Sequence, residues 1–340
     1  MAIYRETGDG FVFTGPFAVA TFEPGAAIEL VPNPHYDDRA EHRPEIGLRR
    51  FTDGQSLALA LEAGELDLAF NLPVEALPRL RADPEIEVSS FPVAYQYMMW
   101  MNTRSGALGE PAVRRAIDLA VDRAVLADVV RGGEVATGAF ATFFPFAAEA
   151  PRQHDAEAAR GLLEAAGWRD QDGHAVREKD GVELRLRLHA YPQRPDLLTF
   201  QPVLQAQLKA VGIAVETFVT EAVSELARAR DFDLLLWAQH TAPAGDPAFF
   251  LEMFLRSEAA NNHSGFANEA SDAVLDRLAA TAAPEGRAAL AREAQKILFA
   301  ETPVTFLLTP SWHYGARGAL RSYEIWGSDY YVIRDDLFVE

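Results

Sequence analysis

The run Tyr95 to Met101 constrains the fold more than any other stretch of the chain. It is bulky and nearly continuously apolar, so as a strand it must be covered on both faces. The flanking sequence supplies α/β material. Val182, Leu184, Leu186 and Leu188 alternate as a strand, Leu197 to Ala210 has helical character, and Ile213, Val215, Thr217 and Val219 alternate again. A strand, helix, strand crossover is the natural reading, so the fold class is α/β.

Other elements follow the same logic. Phe11 to Ala20 and Ala27 to Val31 flank the Pro24-Gly25 turn as a hairpin. Ile46 to Phe51 and the alternating Leu66, Leu68 and Phe70 are predicted strands, with a helix over Gln55 to Ala63 closed by Gly64. Val113, Ile117, Ala120, Val121, Ala124 and Val125 predict one helix from Pro111 to the Gly132-Gly133 stop. Asp155 caps a helix stopped by Gly167. Leu234 to Trp237 is a buried strand, Phe249 to Phe254 a short helix, Ser271 to Ala280 and Glu285 to Ala300 two more, and Val304 to Leu308 a closing strand. Asn102, Ser105, Gly106 and Gly109 mark a composition change suited to a boundary or hinge.

Charge and composition narrow the function. At 340 residues the chain has room for two lobes with separate cores. Its formal net charge of −19 and lack of a basic patch argue against nucleic acid and anionic membrane surfaces as partners. With no cysteine there are no disulfides, thiolate metal sites or cysteine nucleophiles. No apolar run reaches the ~18 residues of a membrane helix. Met1 to Gly10 lacks the basic stretch and apolar core of a signal peptide, so any export signal is expected to lie outside this chain.

The order of several short motifs resembles the solute-binding proteins of peptide and nickel ABC importers, the extracellular solute-binding family 5. The similar segments are Thr14-Gly15-Pro16-Phe17, Asn33-Pro34-His35-Tyr36 and Leu61 to Asp67. Met101-Asn102-Thr103, Val113 to Ile117, Ala120 to Arg123, Leu162 to Trp168, Phe232-Asp233, Asp246-Pro247 and Asn262 to Phe266 complete the series. The resemblance implies the type II periplasmic-binding-protein fold, two α/β lobes closing over a ligand by hinge bending. Residues 1–105 and 311–340 are then expected to form an incomplete first lobe, and 106–310 the second. Members of the family carry a further segment before the Thr14 turn, so the chain is expected to be a shortened relative or part of a longer one.

Relatives that bind peptides place an aromatic and then a carboxylate in the loop after the buried strand, because a buried ammonium needs an anionic partner. Here Trp237 comes early, the matching positions hold Gln239 or His240, and the first acid is Asp246. The usual ammonium anchor is therefore missing, which makes a nickel complex, another metallophore, or a neutral or anionic solute as credible as a peptide. The candidate ligand-binding residues are Gln239, His240, Thr241, His263, Tyr95, Trp100 and Asn102. Each has a plainer alternative. His240 either meets ligand or metal, or bonds to backbone. His263 either approaches the ligand or forms a helix-leading turn, and Tyr95, Tyr97 and Trp100 either line the cleft or pack the core. Phe143, Phe144 and Phe146 either line an apolar pocket or, the preferred reading, are buried as core or loop. Arg114 and Arg115 are expected to be solvated or paired with Asp118 and Asp122, with no binding role.

Enzyme signatures are lacking: Gly8-Asp9-Gly10 followed by Gly15 has the wrong spacing for a dinucleotide fingerprint, and no phosphate-binding loop, zinc-protease or nucleophile-elbow motif occurs. Eight histidines are dispersed, so no catalytic residue, metal site or cofactor is expected. The expectation is a monomeric, non-catalytic periplasmic receptor that delivers a peptide, metal chelate or other small solute to ABC permease subunits. The alternatives are the sensory domain of a transcription regulator and a hydrolase using carboxylates.

Overall fold

The computed structural model describes residues 4–7, 10–37, 40–148, 153–171, 173–325 and 332–337. Gly8 and Asp9, tested above for a dinucleotide motif, lie outside them. The chain forms two compact units, Met1–Phe91 with Trp312–Glu340, and Pro92–Ser311.

The smaller unit holds a meander of strands Phe17–Glu23, Ala27–Pro32 and Ile46–Arg49. The first two pair antiparallel around the Pro24-Gly25 turn, where Gly25 takes φ +78. Phe11 to Phe13 belongs to a separate hairpin, Gly10–Phe13 against Tyr4–Thr7, and so does not extend the first strand of the meander. A second sheet orders Leu68–Phe70, Ser311–Ala316 and Glu87–Pro92. It packs with the helix Gly54–Glu62, which Asp53 caps by accepting the Ser56 amide at 2.8 Å, around Leu61, Leu72, Leu80 and Ile86.

The larger unit is built on a six-stranded mixed sheet in the order Ala214–Val219, Arg185–Ala190, Leu234–His240, Tyr95–Met101, Val304–Thr309 and Glu134–Val135. The first three strands are mutually parallel; the crossover helix Pro195–Lys209 joins Arg185–Ala190 to Ala214–Val219, and the helix Val223–Ala229 leads on to Leu234–His240. Tyr95–Met101 runs antiparallel to both of its neighbours. Alternation then sends its side chains into two cores. Tyr97, Met99 and Met101 join Phe200, Leu204 and Leu208 of the crossover helix on one side. Met98 and Trp100 join Phe250, Leu275, Leu298 and Phe306 on the other. The stretch 92–105, grouped with the first lobe in the sequence reading, thus packs inside the larger unit, and the division falls at 91/92 and 311/312.

The helix expected from Pro111 to Gly132 is two helices, Pro111–Ala120 and Arg123–Val129. Val121 and Asp122 turn extended, and Asp122 Oδ1 accepts the amides of Ala124 and Val125 at 3.1 and 3.4 Å, so a strong N-cap overrides a continuous apolar stripe. The expectation for Arg114, solvated or paired with Asp118 or Asp122, is also corrected, while Arg115 is exposed as the solvated alternative had it. Arg114 is buried and donates to the carbonyls of Leu108, Gly109 and Glu301. Asp118 instead pairs with Arg123, both 2% exposed, and Arg123 Nε donates to the Phe306 carbonyl at 2.6 Å. The Arg123 guanidinium thereby ties the end of one helix to the sheet. Replacing Arg123 with Met takes the guanidinium away from the buried Asp118 carboxylate, and is expected to lower unfolding free energy by about 3–5 kcal/mol. Urea denaturation checks this; a loss under about 1 kcal/mol would contradict the role.

Candidate functional site

In open α/β sheets the carboxyl ends of parallel strands are where side chains converge on ligands, because the loops that leave them are free of the ladder. In the larger unit that edge is formed by Ala190, His240 and, from the antiparallel neighbour, Tyr95, which sits opposite His240 in the register. The Tyr95 and His240 rings lie 4.5 Å apart. Tyr95 is half-buried and His240 buried, while Gln239 beside them is half-buried. Gln239 accepts the Trp237 indole N–H at 3.1 Å and donates to the His240 carbonyl at 2.8 Å, which fixes its amide. Thr241 is fully buried, its amide bonded to the Ala94 carbonyl at 3.2 Å. Its hydroxyl has no partner among the described residues, nor has the Gln96 carbonyl oxygen. Gln96 Nε2 donates to Thr309 Oγ1 at 2.8 Å.

The turn that leaves Arg185–Ala190 completes the edge. Tyr191 packs edge-on against Trp237 and accepts the Ala238 amide at 3.1 Å. Arg194 places its guanidinium 5.2 Å from the centre of the Tyr95 ring, with Nη2 3.3 Å from the hydroxyl. Asp196 accepts the Tyr97 hydroxyl at 2.8 Å. Burial, then the Asp196 charge, pushes that hydroxyl far above its ordinary range, so it remains a donor. Sequence reasoning missed Arg194 and Asp196. The available signal was their position on either side of Pro195, where the turn after the first strand of a crossover enters its helix.

Tyr95, Gln239, His240 and Thr241 are therefore brought together. Asn102 is not: it follows the far end of the same strand, roughly 24 Å from Tyr95 at ~3.4 Å per residue. There it donates to the carbonyls of Arg230 and Phe232, both at 3.0 Å, and accepts the Arg104 amide, so its polarity is spent on loop connections. Trp100 is fully buried and stacks with Phe254 at 6.3 Å. His263 sits in a cage of Trp100, Trp237 and Phe254 with ring separations of 5.7, 4.9 and 5.7 Å. These two residues hold the second core under the site.

The acid of the following loop is already engaged. Arg287 grips both Asp246 oxygens, Nη2 to Oδ1 at 2.6 Å and Nε to Oδ2 at 2.8 Å. Burial alone would raise the Asp246 carboxyl, but Arg287 and the Ala248 amide hold it below its ordinary value. Two other concavities each contain an ion pair. A groove of about 440 Å³ between the helices Glu269–Ala280 and Pro284–Glu301 contains the Arg277–Glu293 pair at 2.9 Å. A cavity of about 610 Å³ in the smaller unit is walled by Ile46, Leu48, Leu66 and Leu68 and contains the Arg49–Glu65 pair at 3.2 Å. Among the described residues no group of three or more histidines or acids could hold a bare metal ion, and no helix is long and apolar enough to cross a membrane.

The profile of the bacterial extracellular solute-binding proteins, family 5 (middle part), matches residues 2–262. The chain belongs to that family. Among its family 5 relatives, the nickel-binding periplasmic protein of Escherichia coli (strain K12) is 28% identical over 268 residues, 75% of this chain and 51% of that protein. Protein XP55 of Streptomyces lividans is 30% identical over 307 residues, 87% of this chain and 55% of its own length. The chain thus spans about half the length of these curated relatives. The nickel ABC transporter protein from Bacillus halodurans superposes with TM-score 0.79 at 28% identity, covering 96% of this chain and 69% of that one. NikA from Brucella suis in complex with Fe(III)-EDTA gives TM-score 0.84 at 24% identity, covering 98% and 70%. The fold is the type II periplasmic-binding-protein fold, and this family is one of solute-binding proteins rather than enzymes.

The caged histidine gives a pH test. Burial, then the Arg230 charge, holds the His263 imidazole down at about 4, against an ordinary 6.5. The folded state keeps it neutral, so its contribution is complete above pH 6.5 and is lost as pH falls toward 4. Burial, ahead of nearby arginine charges, also holds down His189 and His313, which add to the same slope. Melting temperature is expected to drop over that window, and His263→Phe to remove part of the drop, on the order of 2–3 kcal/mol. An unchanged slope in the variant would contradict the cage reading.

Proposed function

We propose that the protein is the solute receptor of an ABC importer, acting outside the cytoplasmic membrane and handing a small solute to permease subunits. The two compact units are read as its two lobes. The solute is read as meeting the larger unit at the strand-end site, with Tyr95 and His240 as contact rings and Gln239 and Thr241 behind them. Trp100, His263 and Asn102 support that site without touching the solute.

One observation carries the reading. Arg194 stands over Tyr95 at the carboxyl edge, half-buried, with no carboxylate partner among the described residues. A planar guanidinium with most of its N–H donors unspent is suited to a carboxylate, and the tyrosine ring beneath it offers a surface for a flat or apolar group. Family membership supports capture without turnover. The relatives are named for nickel and for peptides, and one neighbour was solved with Fe(III)-EDTA. Because no bare-metal cluster occurs among the described residues, a metal would arrive already chelated, its carboxylates available to Arg194. Neither a transcription-regulator nor a hydrolase reading draws support from these relatives.

The test is a thermal-shift and calorimetric screen with di- and oligopeptides, nickel with and without carboxylate chelators, and small acids. A ligand that binds only the folded state raises the melting temperature. Arg194→Gln is expected to weaken the strongest carboxylate-bearing hit at least tenfold, about 1.4 kcal/mol. Equal affinity in the variant would contradict the assignment of Arg194, and the absence of any shift across the panel would contradict solute capture by this chain.

A further inference from the structure

The three-stranded meander of the smaller unit is amphipathic without being packed. Its register sets Phe22, Ile28 and Leu48 across one rung, and Val19, Leu30 and Ile46 across another. Partners in a rung and alternate residues along a strand share a face, so all six apolar side chains stand on one side of the sheet. The other side carries Thr21, Glu23, Glu29 and Arg49. None of the six is buried: Phe22 is 62% exposed, Val19 38% and Leu48 37%, and the rest are half-buried. The core around Leu61, Leu72, Leu80 and Ile86 takes in no residue of this sheet. Ile28, Ile46 and Leu48 instead line the cavity of about 610 Å³, together with Leu66, Leu68 and Leu320 from neighbouring segments. Small-molecule sites span roughly 300–1,000 Å³ and have mostly apolar walls with a few polar groups.

The charges at this cavity are unbalanced. Its two arginines are engaged: Arg49 pairs with Glu65 at 3.2 Å, and Arg317 pairs with Asp83 at 3.5 Å and donates to the Leu61 and Glu62 carbonyls. Three further acids, Glu29, Glu45 and Asp67, line the cavity from exposed positions, and none is joined to a base among the described residues. Glu29 accepts the Thr21 hydroxyl at 2.6 Å. An incoming anion would meet cations already engaged, whereas an ammonium would bring three donors to carboxylates with open acceptor sites. We propose that the cavity is a binding site for an amphipathic amine, its ammonium met by Glu45 and Asp67 at the mouth and its alkyl tail laid against Ile46, Leu48 and Leu66. The two parts of such a ligand do different work. Each buried methylene is worth up to about fourfold in affinity, while an exposed ion pair is worth a few-fold at most. The tail therefore supplies the affinity and the acids select the sign of the head. The site lies wholly within the smaller unit and is independent of the solute reading at the strand-end edge.

The proposal is tested by isothermal titration calorimetry of the purified protein with butyl-, hexyl- and octylammonium, using octanol and octanoate as controls with the same tail. Affinity is expected to rise along the amine series, and octylammonium to bind roughly fivefold more tightly than octanol and by a larger factor than octanoate. Glu45→Gln combined with Asp67→Asn, both at exposed positions, is expected to bring octylammonium down to the octanol value and leave octanol unchanged. Leu48→Lys sets a cation in the wall and is expected to weaken octylammonium at least tenfold. Octanoate binding as tightly as octylammonium overturns the proposal. An affinity flat along the amine series also overturns it, since attraction to a chain of net charge −19 would be indifferent to tail length. So does undiminished octylammonium affinity in either variant, folded by circular dichroism, or binding of none of the amines.

Discussion

Tyr95–Met101 is hydrogen-bonded on both edges and buried on both faces, and the larger unit depends on that double burial. Tyr97, Met99 and Met101 fill one core while Met98 and Trp100 fill the other. Slipping the strand by one residue would exchange the two sets, so its register against Leu234–His240 and Val304–Thr309 is strongly determined. That register sets Tyr95 opposite His240 and stands Tyr97 under the start of the crossover helix. The geometry of the candidate edge is thus a consequence of core packing several residues away.

At that edge the electrostatics are unusual for a chain with a net charge of −19. Several arginines are spent on structure: Arg114 on carbonyls, Arg123 on Asp118, Arg287 on Asp246, Arg256 on Glu252 and Asp276. Arg194 is held by a ring and a hydroxyl, which position a guanidinium without discharging it. The same tyrosine-bearing strand holds Asp196. A partly desolvated setting makes the guanidinium more responsive to an incoming partner than a surface charge would be.

Much of the fold was legible because strand and helix periods are written in the side chains. The alternation at 182–188 and 213–219, the Pro24-Gly25 turn and the Asp155 cap all appear where their patterns indicate. Local competition was harder to read. Asp122 lies within an unbroken apolar stripe, and only its side-chain bonds to Ala124 and Val125 make it a cap that divides the helix. Ser311–Ala316 was missed as a strand because His313 and Gly315 break its apolar pattern, yet His313 is buried and bonded to Ser90. The candidate site was only half legible. Residue type and motif position pointed to His240 and Tyr95, but the same criteria also selected Asn102, whose distance along the strand and carbonyl contacts remove it. Arg194 caps and Asp196 opens the helix Pro195–Lys209, where no periodic signal marks them, and their place beside the candidate site appears only once Tyr95 and Tyr97 are seen beneath them.

The most direct test of the central claim is the crystal structure of the protein grown with whichever solute raises its melting temperature most. The account requires solute density at the strand-end edge, with an anionic group within hydrogen-bond distance of the Arg194 guanidinium and part of the solute against the Tyr95 ring. Density instead in the groove between Glu269–Ala280 and Pro284–Glu301, or in the cavity of the smaller unit, with Arg194 still resting on Tyr95 alone, would contradict it.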